Sequence, residues 1–287
     1  MTSASTSETT AAPDGGASAA GEGAPDPGLQ KALRRLAAHE TVLICLDFDG
    51  CVAELVEDAL QAAPVPANAA AIQDLAGLDG VVLAYVSGRP METLRELADP
   101  PQSMLLVGSH GAERDLSGFT GNSTPGLELD AAEDAARSEV IQVLEQIAAE
   151  HEGAWVEHKP AGAAIHVRRV PDPEVGEGIL EQARASLSVV DGVHLKEGKQ
   201  ILESVVVLAT KGEGIEELRR LVEPGAVFFA GDDVTDEHGF AVLGGDDVGV
   251  KVGLGETQAA HRIGAPEDLA EVLQALAALR RESGVPR

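Results

Sequence analysis

Aromatic rings, cysteine and positive charge are all scarce in this chain. Its 287 residues include one Trp, one Tyr and five Phe. So few rings leave no stacking platform for single-stranded bases. Two cysteines, Cys45 and Cys51, exclude a disulfide scaffold and fit a reduced compartment. Lys and Arg number 21 against 48 Asp and Glu, giving a formal net charge of -27. Nucleic-acid affinity comes from cations that neutralise phosphates, so this balance excludes such a partner. An anionic membrane surface is disfavoured by the same sign. No apolar run reaches the ~18–20 residues of a spanning helix, and the first residues lack the basic and apolar stretches of a secretory signal. The expectation is a soluble, cytoplasmic monomer whose partner is a small molecule.

What is present is ample core material. Hydrophobic residues make up 44% of the chain, and its length suits one or two domains of ~150 residues. Residues 1–27 are Ser, Thr, Ala, Gly and Pro with scattered acids, a composition that reads as a disordered tail. A short helix over Leu29–His39 follows. Near-continuous apolar runs then recur at Val42–Leu46, Val81–Val86, Met104–Val107 and Ala226–Ala230, with a weaker one at Val248–Val252. Such runs mark parallel strands covered on both faces. Between them lie helical stretches at Ala67–Leu78, Met91–Ala98, Ile215–Val222, Glu237–Leu243 and Glu267–Leu279. This alternation predicts an α/β fold with a doubly wound parallel sheet.

The alternation breaks between about Asp115 and Leu208. That segment reads as a helix (Ala131–Glu150), strands at Trp155–Lys159 and Ala164–Arg168 joined through Pro160-Ala161-Gly162, a helix (Glu174–Ser186), and strands at Val193–Lys196 and Gln200–Val207. It is an α+β insert. The expected division is a core of 28–115 and 209–287 with an inserted domain over 116–208.

Polar clusters close several apolar runs. They are Asp47-Phe48-Asp49-Gly50, Ser87-Gly88-Arg89-Pro90 and Gly231-Asp232-Asp233-Val234-Thr235-Asp236-Glu237, with Lys211-Gly212 opening a helix. Open α/β sheets build their sites at strand carboxyl ends. Converging carboxylates repel one another and need a cation, and the all-oxygen set Asp47, Asp49, Asp232, Asp233 and Asp236 suits Mg²⁺. Asp47 is then a nucleophile for phosphorus, and Asp49 an acid for the leaving alkoxide and a base for water. Ser87 and the N–H groups of the helix beginning near Pro90 offer donors to a phosphate. Lys211 offsets negative charge. Each cluster alone has an ordinary explanation as a turn, a cap or solvated surface. The four in this order do not.

These four motifs resemble those of the haloacid dehalogenase (HAD) superfamily of phosphatases. Gly231–Glu237, together with Gly108-Ser109-His110-Gly111-Ala112-Glu113, more narrowly resembles the trehalose-6-phosphate phosphatases, from about residue 40 onward. The resemblance implies a Rossmann-like core with an inserted cap of the C2 type. It implies an Mg²⁺-dependent hydrolysis of trehalose 6-phosphate to trehalose and phosphate, through an aspartyl-phosphate, as the last step of trehalose biosynthesis. It also implies that Arg89, Glu157, Lys159, Arg168, Lys199 and Glu203 bind the substrate.

Strand alternation puts Glu157 and Lys159 on one face, His166 and Arg168 on one face of the partner strand, and Val156, Ile165 and Val167 opposite. That polar face suits a polyhydroxylated ligand. It also suits a solvated sheet with charge pairs worth ~0.2–1 kcal/mol each. Two departures from the family pattern stand out. Cys51 replaces the usual Thr after the first motif, and Val205–Thr210 lacks an Arg-Pro element. There is no HExxH, CxxC, GxSxG or dinucleotide fingerprint, and Gly192–Lys199 has the wrong spacing for a P-loop. His110 either lies near the site or holds the loop after the third strand, and Trp155 either stacks on a sugar or packs. The alternatives are another sugar phosphate as substrate, a phosphotransferase, or a non-catalytic phosphosugar-binding module. Entry of a sugar requires the cap to open, so the empty protein is expected to hold its polar cap face away from Asp47.

Overall fold

The apolar runs form the strands of the first of two sheets. The computed structural model describes residues 26–121, 127 and 129–283. In chain order the elements are α1 (Pro27–Ala37), β1 (Val42–Leu46), α2 (Pro66–Ala76), β2 (Val81–Val86), α3 (Met91–Ala98), β3 (Leu105–Gly108), β4 (Glu113–Asp115), α4 (Ser117–Thr120) and α5 (Ala131–Ala149). Then follow β5 (Trp155–Lys159), β6 (Gly162–His166), α6 (Pro173–Leu187), β7 (His194–Gly198), β8 (Ile201–Val205), α7 (Lys211–Val222), β9 (Ala226–Gly231), α8 (Glu237–Ala241), β10 (Val248–Val252), β11 (His261–Ile263) and α9 (Leu269–Ser283). The tail expected over 1–27 lies outside the described residues except for its last two. Asp26 caps α1 by accepting from the Gly28 and Leu29 N–H groups, and Pro27 opens the helix, as its fixed φ allows.

The seven-stranded sheet has the order β11-β10-β9-β1-β2-β3-β4. Every pairing is parallel except β3 with β4. Both faces are covered. Val42, Ile44 and Leu46 pack with α1, α2 and α9 through residues such as Leu33, Ile72 and Leu273. Leu43 and Cys45 point into a second layer with Ile215 and Leu218 of α7 and Phe240 of α8. Each such large side chain contributes ~1.5–3 kcal/mol on burial. The chain progresses outward from β1 through β2 and β3 on one side, and from β9 through β10 and β11 on the other. The order therefore reverses at β1 and β9, and a crevice opens at their carboxyl ends.

The insert forms a separate antiparallel sheet of order β5-β6-β8-β7. Val140 and Leu144 of α5 and Ile179 of α6 cover one face through Ile165 and Leu202. Its second strand ends at His166, so Arg168 lies beyond the strand, exposed in a turn. The expectation of a strand over 164–168 fails because Gly162 belongs to the ladder rather than to the turn. A Cβ there would stand 1.9 Å from the Ser204 carbonyl oxygen, so only glycine passes. Helix α7 begins at Lys211, as read for Lys211-Gly212 and four residues before its apolar pattern starts, because Thr210 and Glu213 form a reciprocal capping box. Among the described residues no helix is long and apolar enough to cross a membrane.

Candidate active site

Four chain segments meet in the crevice. Asp47 follows β1 and is fixed by its N–H, which donates to Ala230 O at 2.9 Å. Lys211, the first residue of α7, places Nζ 2.7 Å from Asp47 Oδ1 and donates to Asp236 Oδ1 at 2.6 Å. All three residues are buried. Two carboxylates thus share one ammonium. Burial pushes the Asp47 carboxyl up to about 8, against the pull of Lys211 and with the push of Asp236. Asp232 is half-buried, and its pKa rises to about 6 through desolvation and the neighbouring Asp236 and Asp233. One carboxylate oxygen each from Asp47, Asp232 and Asp236 lie within 4.8 Å of one another. Gly50 makes room for them. Its φ is +73°, and a Cβ there would stand 2.0 Å from Asp232 Oδ2.

Asp49 stands outside that cluster. Arg89 grips it with two charge-assisted bonds, Nε to Oδ2 and Nη2 to Oδ1, both 2.6 Å. The guanidinium also lies 5.5 Å from the Phe48 ring centroid. Asp233 is exposed; its N–H donates to Asp236 Oδ2 at 2.8 Å and its carbonyl oxygen accepts from the Asp236 N–H at 3.2 Å. Ser87 is buried and accepts from the Arg89 N–H at 3.2 Å. The helix start near Pro90 is not wholly open to a phosphate, because the Met91 N–H donates to Glu113 Oε2 at 3.1 Å.

A cavity of about 580 Å³ is lined by Asp47, Asp49, Ser87, Arg89, His110, Glu157, Lys159, Lys211, Asp232 and Asp233, among others. Side chains from both sheets therefore border one space. The expected separation of the polar face from Asp47 is absent, since Glu157 and Lys159 share the cavity with it. The reason is local packing: Ala161, in the β5–β6 turn, and Val205 are buried with Ala112 of the larger unit.

The other substrate candidates divide. Glu203 is joined to Lys159 by a 3.0 Å bond from Nζ to Oε1 and lines a narrow adjoining pocket with Lys196 and His110. Arg168 is exposed in its turn, and Lys199 is exposed between β7 and β8. Neither lines the cavity. The Glu157 carboxylate faces His166, with Oε2 2.8 Å from Nε2. Trp155 packs rather than presenting an open face. Its ring stacks on His166 at 4.6 Å and 7°, and the Arg169 guanidinium lies 4.5 Å from its centroid. Cys51 is buried in the core beside Phe48 and Val52, and burial pushes its thiol pKa well up.

Two residues went unread in the sequence. Lys251, the penultimate residue of β10, is buried and donates to the Asp232 carbonyl, with Glu237 Oε1 3.9 Å away. Its signal was a lone charge within the apolar run Val248–Val252. Glu113 fixes both the Met91 N–H and the Ser109 hydroxyl; it lay within a motif quoted for likeness alone.

A family model described as trehalose-phosphatase matches residues 45–272. The chain is 34% identical to the trehalose-6-phosphate phosphatase of Escherichia coli over 78% of this chain and 82% of that protein. The solved structure of Aspergillus fumigatus trehalose-6-phosphate phosphatase superposes with a TM-score of 0.63 at 23% identity, covering 91% of this chain and 100% of that one. A haloacid dehalogenase-like hydrolase from Bacteroides thetaiotaomicron gives a TM-score of 0.57 at 17% identity, covering 82% and 98%. At these identities the solved structures speak for the fold.

Proposed function

The chain belongs to the trehalose-phosphatase family of phosphatases, and from that premise we propose that it hydrolyses trehalose 6-phosphate to trehalose and phosphate with Asp47 as nucleophile. The observation that carries this reading is the shared cavity. Asp47 and Lys211 line it from the switch point of the parallel sheet, and Glu157 and Lys159 line it from the other sheet. The named activity of the Escherichia coli relative supports the choice of sugar. Residues 28–115 and 209–287 are the catalytic core in this reading, and 116–208 the cap.

An Asp47 oxygen attacks phosphorus as the ester P–O bond breaks, and Asp49, which takes up a proton from solvent once Arg89 releases it, gives that proton to the departing sugar oxygen. Asp49 then takes a proton from water, whose oxygen attacks phosphorus and releases phosphate from Asp47. Lys211 stays beside the nucleophile and offsets charge as it builds on the transferring group. Arg89 occupies both Asp49 oxygens. An arriving phosphate competes for that guanidinium and frees Asp49 for proton transfer. Ser87 adds a donor.

The acidic set fits a hard divalent cation. Three carboxylates with oxygens within 4.8 Å, two of them with raised pKa values, share the single ammonium of Lys211 and so form an incompletely compensated negative cluster with oxygen donors only. Asp47, Asp232 and Asp236 would hold Mg²⁺, with Asp49 and Asp233 at its margin. The ion supplies charge neutralisation that lets an anionic nucleophile meet an anionic phosphate.

The test is phosphate release from trehalose 6-phosphate, sucrose phosphate and glucosylglycerol phosphate, with and without Mg²⁺. Metal-dependent release fastest from trehalose 6-phosphate is expected. Faster release from another sugar phosphate would replace the substrate. No release from any would leave a binding module in place of the enzyme.

A further inference from the structure

Two leucines stand bare at one opening. Leu254 is 92% exposed and Leu55 72%, and both line a cavity of about 480 Å³. Covering one leucine changes an affinity about tenfold or more. Leu254 is held in place by its own turn. Gly253 and Gly255 flank it with φ of +74° and +104°, left-handed conformations that cost glycine little. The Arg262 guanidinium donates to both of their carbonyl oxygens, at 2.7 Å for Gly255. The Gly253 N–H donates to Ile263 O at 3.0 Å. Leu55 belongs to an exposed segment fixed at its far end, where Asp58 accepts from the Leu60 N–H at 3.1 Å.

The rest of the lining is apolar or acidic. Val252 and Pro266 continue the apolar surface, and Glu54, Asp232 and Glu267 supply the charge. Among the described residues no Lys or Arg lines this cavity. Asp232 and Leu55 also border the catalytic crevice, so the two spaces adjoin. An apolar patch rimmed by polar groups marks an interaction surface, and the sign of the rim selects what docks there. A second copy would bring the same acids and a net charge of -27 against themselves. Residues 1–25 hold three acids, no Lys or Arg and no large apolar side chain after Met1, so that segment offers neither anchor nor counter-charge. An anionic lipid surface is repelled. A sugar phosphate, polar and anionic, has no use for either leucine.

We propose that this acidic, leucine-tipped cavity docks a protein partner through a basic amphipathic segment. Apolar side chains of that segment cover Leu55 and Leu254, and its Lys or Arg residues meet Glu54 and Glu267. The partner then sits beside Asp232, at the edge of the phosphatase crevice. Docking is independent of which sugar phosphate the crevice takes.

The experiment measures binding of labelled synthetic peptides to the full chain by fluorescence anisotropy at ~0.15 M salt, where distant exposed charges are screened. The probe is a short amphipathic helix of Leu and Lys, with Leu/Glu and Ser/Lys versions as controls. The Leu/Lys peptide should bind. Leu55→Ser combined with Leu254→Ser should weaken its binding about tenfold or more. Glu54→Gln with Glu267→Gln should weaken it too and flatten its salt dependence. Val189→Ser removes a side chain just as exposed, on the turn after α6, and should leave Kd within about twofold. Equal binding of either control peptide would overturn the proposal, as would unchanged affinity in the leucine variant or no binding at all. A wild type that dimerises in light scattering, and a leucine variant that does not, would overturn it by putting a second copy in the partner's place.

Discussion

Replacing Lys211 with Met keeps a long apolar stem but deletes the ammonium 2.7 Å from Asp47 and 2.6 Å from Asp236. The exposures of Lys211, Asp47 and Asp236 are 2%, 3% and 0%. Water therefore cannot take over the lost charge. Removing one partner of a buried pair costs about 3–5 kcal/mol. In a protein of this size each kcal/mol moves Tm by about 2–4 °C, so the variant should melt about 6–20 °C lower at pH 8. The sign of the pH dependence follows from Asp47, whose folded-state pKa already lies near 8 against an ordinary 3.8. A carboxyl raised on folding binds more protons in the native state, so stability is gained as pH falls through that window. Loss of Lys211 removes a lowering influence and enlarges the effect. Thermal unfolding of wild type and variant at pH 8 and pH 5, without metal, should show the deficit shrinking at pH 5. A deficit under about 2 °C at pH 8, or one equal at both pH values, would refute the shared-ammonium account. Activity should fall by about 10²–10³, the scale of losing one group aimed at transition-state charge.

Three further outcomes are expected. Gly50→Ala should lose about 1–3 kcal/mol to left-handed strain and over about 100-fold in activity, because its Cβ displaces the Asp232 carboxylate; urea unfolding and phosphate release measure the two. Stabilisation by saturating Mg²⁺ should be full at pH 8 and fade below about 6, since protons compete for the Asp232 carboxylate as metal-free stability moves the opposite way; a pH-independent increment in Tm would count against Asp232 as a ligand. Lys251→Met should weaken Mg²⁺ binding by calorimetry by about tenfold or more, on the scale seen for residues that orient metal ligands, with Lys251→Arg nearer wild type; unaltered binding in both would remove Lys251 from the site.

The parallel sheet was legible because its strands are buried on both faces. Val42–Leu46, Val81–Val86 and Val248–Val252 match their apolar runs end to end. The short edge strands β4 and β11 were not, since three residues such as Glu113–Asp115 carry too little pattern. In the site, Asp47, Lys211 and Asp232 were readable because each sits where an apolar run or a helix begins or ends. Their division of labour was not. That Arg89 clamps Asp49, or that Lys211 serves Asp236 as well as Asp47, depends on which strands lie side by side, and only topology decides that. Arg168 was misplaced by two residues, because Gly162 was read as a turn former when the approach of Ser204 put it in the ladder.

Receipt of the phosphoryl group by Asp47 is the central step of the proposed mechanism. Phosphate release from trehalose 6-phosphate with Mg²⁺ should be abolished in Asp47→Asn, a near-isosteric change at a fully packed position, while circular dichroism and Tm show the fold retained. An Asp47→Asn protein that is folded and still releases phosphate at the wild-type rate would contradict it.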